Sequence, residues 1–191
     1  MASILPLDEL NQLITRVRER YSAEKLKPTD PYEDILDEML DLFLLAYAQG
    51  NEVTQENLAY LAPDRELRKP RINEVMDVVN AKVAGQTWEE RVKDWFVNGG
   101  SGEDIVRIIE TETHRIANSS ALRTAKQIGA KSKTWSTMLD DKVRDTHSPL
   151  EGVSIPIDED FYTWDDDHAP APGMFELPQN NINCRCELIF S

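Results

Sequence analysis

The sequence predicts an α+β fold, with a helical N-terminal half followed by one long helix packed on a small, loop-rich β-sheet. Three observations point there. Apolar residues recur at helical spacing through much of the first 128 positions, as in Leu10, Leu13, Ile14 and Val17. Beyond Gly129 the pattern changes to short β-prone runs separated by Pro, Asp and Gly. A glycine-rich joint, Asn98-Gly99-Gly100-Ser101-Gly102, lies between two regions. It sets the expected boundary: residues 1–100 form a helical region and residues 101–191 a compact module.

Taken in order, the first helix carries the stripe that ends at Val17. Lys27-Pro28-Thr29-Asp30-Pro31 breaks it, with Asp30 as N-cap and Pro31 in the first position of the next helix. That second helix buries Ile35, Leu36, Met39, Leu42, Phe43 and Tyr47, and Gly50 is expected to end it. Residues 54–62 read as a further short helix stopped by Pro63. Ile72, Val75, Met76, Val79 and Val83 mark another over 71–83, stopped by Gly85. Thr87 caps a segment whose Trp88, Val92, Trp95 and Phe96 are expected in the core. Ser101, with Asp104 at the third helical position, opens the long helix, which buries Ile105, Ile108, Ile109, Ile116 and Leu122 and stops at Gly129. Strands are expected at 133–138, 152–157 and 187–190, and Pro156 places the second at a sheet edge. Trp135 is the expected core anchor of this sheet.

Charge narrows the functional classes. The formal net charge is −14, from 21 basic and 35 acidic side chains, and such a surface repels bulk nucleic acid. The balance is uneven along the chain. Arg115, Arg123, Lys126, Lys131 and Lys133 occur with no intervening acid, and form a candidate contact for DNA or an acidic partner. Residues 158–167 hold six acids and no base, and read as a solvated loop, with calcium ligation as the alternative. No apolar run approaches the roughly 18 residues of a membrane span, and the first residues lack the features of a secretory signal. No membrane partner and no cofactor are expected.

Candidate chemistry gathers in the second half. Asp140, Arg144 and His147 stand four and three residues apart, a spacing that shares one face of a helical turn. They read as a polar clasp, with Asp140 accepting from Arg144, Arg144 reaching a loop carbonyl, and Gly152 supplying a backbone angle closed to other residues. The alternative is a catalytic site with His147 as base. Cys184 and Cys186 are too close in sequence for an unstrained disulfide and read as free thiols on one face of a strand. The alternative is zinc held by Cys184, Cys186 and His147, with His168 as a further ligand. Because C-x-C lacks the usual zinc spacing, a metal-free protein is the expectation.

Four features occur in order: the helix run Glu110-Thr-Glu-Thr-His-Arg-Ile-Ala-Asn118; Trp135 followed by Asp140, Arg144, His147 and Gly152; an acidic, aromatic loop around Phe161; and Asn183-Cys184-Arg185-Cys186. This set resembles the Mu F-like, SPP1 minor-head-protein family of tailed phages, over about residues 100–191. The resemblance implies a non-enzymatic head morphogenesis protein of the virion, in the capsid interior or at the portal vertex, and in the host cytoplasm during assembly. Its implied partners are the portal protein, other capsid or scaffold proteins, and packaged DNA, whose packaging or ejection it would assist. Residues 1–100 are then the expected portal contact. Some family members carry toxin domains after this module, for which the five residues beyond Cys186 leave no room. Two alternatives stand beside that reading. One is a nucleic-acid-acting enzyme or toxin-like module using Asp140, Arg144 and His147. The other is a DNA-binding module through the basic helix 115–133.

Overall fold

The computed structural model describes residues 3–21, 26, 32–63 and 69–191. The predicted break at 27–31, with its Asp30 cap, lies outside them. Helix α1 (Leu7–Tyr21) starts with Asp8 and Glu9 and finishes with Arg18 and Arg20, charges that complement the helix dipole. Helix α2 (Glu33–Asn57) runs straight through Gly50, contrary to expectation, and absorbs the start of the helix predicted at 54–62. Gly50 serves a close approach instead of a stop. A Cβ there would lie 2.5 Å from the carbonyl oxygen of Ala117 in α5 (Gly102–Ile128). At the same crossing the Ser120 hydroxyl donates to the Tyr47 carbonyl at 2.7 Å.

Helix α3 (Ile72–Val79) is shorter than its predicted range. Val83 leaves the helical pattern and exchanges backbone hydrogen bonds with Gln86 around a tight turn. Helix α4 (Trp88–Asn98) begins with a reciprocal cap: Glu90 N–H donates to Thr87 Oγ1 at 3.2 Å, and Thr87 N–H donates to Glu90 Oε2 at 2.8 Å. For α5, the backbone N–H and hydroxyl of Ser101 both donate to Asp104, at 2.8 and 2.7 Å.

Two apolar cores share α5. The first joins α1, α2 and α4 to the N-terminal part of α5, ending at Ile116 and Ala117, and holds Phe43 edge-on to Trp88 at 5.2 Å. It therefore crosses the 98–102 joint. Trp95, expected inside, is 38% exposed and covers Gly100, where a Cβ would meet its ring. The second core joins Leu122, Ala125 and Ile128 of α5 to the C-terminal sheet.

That sheet has strand β1 (Ser132–Ser136) at its centre, antiparallel to β2 (Ser154–Pro156) on one side and β5 (Glu187–Phe190) on the other. Pro156 sits on the edge strand, where its missing N–H costs no ladder bond. Trp135 is fully buried and pairs in register with Leu188. A second, two-stranded ladder of β3 (Phe161–Tyr162) and β4 (His168–Ala169) was not foreseen, nor was the one-turn helix α6 (Pro178–Asn181). Among the described residues no helix is long and apolar enough to cross a membrane.

Candidate functional site

Residues from three segments converge under the small sheet. His147 ends the turn after β1, and Cys184 and Cys186 lie between α6 and β5. All three are buried, at 1%, 4% and 5% exposure. His147 Nδ1 lies 3.6 Å from the Sγ of Cys184 and 3.6 Å from the Sγ of Cys186. The imidazole stacks on Phe175 at 5.4 Å and meets Trp135 edge-on at 5.2 Å, so packing fixes its plane. Among the described residues its buried Nε2 has no hydrogen-bond partner. Hydrogen bonding from Cys186, then from His147, holds the Cys184 thiol well below its usual range. The Cys186 thiol is pushed up by its contact with Cys184 and by burial.

The surrounding backbone is pinned. Asn118 of α5 donates to the Cys186 carbonyl at 3.1 Å, and Cys184 N–H donates to the Asn181 carbonyl at 3.0 Å. Arg144 donates to the Ile182 carbonyl at 2.5 Å, tying the His147 turn to the tail. Gly152 has φ +71° and donates its N–H to the Trp135 carbonyl at 2.9 Å. Asp140 differs from expectation. It accepts two bonds from Arg185, at 2.8 and 2.7 Å, and residues 140–147 form turns rather than a helical face. The cause is local: Asp140 Oδ1 accepts from Lys142 N–H at 3.1 Å, an Asx-type turn that competes with helix. His114, one turn before Asn118 on α5, is held below its usual range by burial.

The acidic loop is not uniformly solvated. Asp167 is 4% exposed, and its carboxylate accepts from the backbone N–H of His168, Glu176 and Leu177 and from the Asn180 amide, at 2.9 to 3.1 Å. These donors occupy both oxygens of Asp167, which removes this one carboxylate from the candidate calcium ligands. Sequence reading passed over Asp167 because nothing separates it from Asp165 and Asp166 in a run of three acids. His168 pairs with Asp160 at 2.9 Å with half its side chain exposed, and is not part of the group formed by His147 and the thiols.

The basic run does not form one surface. Arg115 is 1% exposed; it pairs with Glu112 at 2.6 Å and donates to the carbonyls of Val78 and Val79. Lys133 is fully buried, donates to the Pro170 carbonyl at 2.8 Å and lies over the Phe161 ring. Burial pulls its ammonium down to about 8. These two residues are therefore excluded from any DNA contact. Arg123 pairs with Glu74 at 3.2 Å and Lys126 with Asp158 at 2.8 Å, while Lys131 is exposed.

The sequence matches one family model and two characterised proteins. The family model described as Phage Mu protein F like protein matches residues 73–189, so the match begins in α3, ahead of the resemblance seen in the sequence. The chain is similar to the NAD(+)–arginine ADP-ribosyltransferase EFV of Enterococcus faecalis, at 31% identity over 64% of this chain and 32% of that protein. It is also similar to the minor head protein GP7 of Bacillus phage SPP1, at 35% identity over 42% of this chain and 27% of that protein. The matched segments thus span about a third or less of these relatives. No solved structure matches.

Proposed function

Because the chain belongs to the phage Mu protein F like family, we propose that it is a minor head protein, a structural part of a phage head that joins the portal vertex as the capsid assembles. The observation that carries this reading is the extent of the family match, which takes in α5, the small sheet and both thiols. The similarity to a phage minor head protein supports it. The burial of His147, Cys184 and Cys186 favours architecture over turnover, since the cavity beside them measures about 10 Å³, room for about one water. Arg144, His147, Gly152 and the thiols act as a clasp that locks the tail to the turn after β1, and Asp140 joins it through Arg185. Assistance to DNA packaging or ejection would pass through the assembled vertex, because the isolated chain is strongly acidic.

The helical half is the proposed portal contact. Removing residues 1–100 is a poor test, since α5 would lose the apolar partners of Ile105, Ile109 and Ile116. Point substitutions avoid that. Ile72 and Val97 are 71% and 65% exposed, and Ile72→Asp with Val97→Asp should leave the fold intact. Co-expression of the full chain with the cognate portal protein is expected to yield a complex, weakened by the double substitution. Failure of the folded wild-type chain to join the portal would reject the reading. So would NAD-dependent modification of arginine by this chain, the activity named for the Enterococcus relative.

A further inference from the structure

We propose that His147 Nδ1 and the sulfurs of Cys184 and Cys186 hold a zinc ion, with a water as the fourth ligand. The sequence alone argued for a metal-free protein, since C-x-C is not a usual zinc spacing and the third ligand lies 37 residues before Cys184. The fold supplies what the linear motif lacks.

Three observations carry the assignment. First, the three ligand atoms lie within 4.8 Å of one another, and both nitrogen–sulfur separations are 3.6 Å. Tetrahedral zinc with bonds of about 2.3 Å to sulfur and 2.0–2.1 Å to nitrogen sets that separation at about 3.6 Å. A neutral imidazole nitrogen has one lone pair in the ring plane and accepts well from one thiol. Two thiols at the same distance from it suit a common centre better than a single hydrogen bond. Second, the charge balances. Two buried thiolates alone would repel each other at great cost, whereas zinc with two thiolates is neutral and leaves no net charge in the apolar core. Binding releases the two thiol protons to solvent, and no oxidant or reductant is needed. Third, the ligands are held before any ion arrives: Phe175 and Trp135 clamp the imidazole, and Asn118 and Asn181 fix the backbone of both cysteines. The cavity of about 10 Å³ beside His147, Cys184 and Cys186 admits the water that completes the tetrahedron. Such an ion would bond the turn after β1 to the tail strand, adding a cross-link to the clasp.

The test uses the full chain, freed of any affinity tag and purified in a thiol reductant. Elemental analysis is expected to find about one zinc per chain. Exchange with cobalt(II) should give tetrahedral d–d bands and a thiolate-to-cobalt charge-transfer band, and Cys184→Ser, Cys186→Ser and His147→Ala should each lose the charge-transfer intensity or the stoichiometry. If those variants do not fold, the wild-type protein still decides. Both free cysteines should resist a thiol reagent under native conditions until a strong chelator is added, and zinc should restore the protection. Zinc-free protein that takes up neither zinc nor cobalt, or thiols that react equally with and without chelator, would overturn the assignment.

Discussion

Arg115 and Glu112 are charged residues wholly inside the molecule, each at or below 1% exposure, and the pair is extended by Arg91 at 2.5 Å from Glu112. Removing one partner leaves a buried charge uncompensated. Glu112→Ala is therefore expected to destabilise the fold by about 3–5 kcal/mol in urea unfolding. Asp140→Ala breaks the half-exposed pair with Arg185 and should cost less than about 1 kcal/mol. Lys133 gives a pH signature. Its folded value of about 8 lies below the ordinary 10.5, so between these values the unfolded chain holds a proton that the folded chain has lost. Stability from this group therefore rises with pH through that window, and below it the buried charge is a cost. Lys133→Met should gain on the order of 1–2 kcal/mol near pH 7, an advantage that shrinks towards pH 10 when both proteins are unfolded in urea. Neither burial was legible in the sequence. A charge on a helix reads as solvated unless every face of that helix is known to be covered. The three-residue step from Glu112 to Arg115 was the one visible hint of their pairing.

At the scale of elements, features set by local chemistry were legible and features set by contact were not. The caps Thr87–Glu90 and Ser101–Asp104, the stop at Gly129 and the edge position of Pro156 all follow from bonds within a few residues. Gly50 does not, because its role depends on a helix more than sixty positions away in the chain. Gly50→Ala should destabilise the protein by about 1–3 kcal/mol, measured as a lowered urea midpoint, since the clash is with backbone that no rotamer change relieves. The two-residue strands β3 and β4 are too short to show an alternating pattern, and Asp167 holds their loop through bonds to residues up to ten positions on. For the site, the sequence placed His147 and both cysteines as candidates. It did not show that Asp140 would turn to Arg185 and leave Arg144 to the Ile182 carbonyl.

At the scale of the whole molecule, α5 is the common wall of both cores, its N-terminal part in one and its C-terminal part in the other. Loss of either core strips one flank of that helix, so the two halves are expected to unfold together. Calorimetry should give one transition with equal calorimetric and van't Hoff enthalpies, and two separated transitions would contradict the coupling. The notch at Gly50 also has a mechanical consequence. Sliding α2 along α5 by one turn, about 5.4 Å, would bring Ala46 or Thr54 against the Ala117 carbonyl, and each carries the Cβ that Gly50 lacks. Shear between the two long helices is thereby blocked, so they move as a single rigid strut.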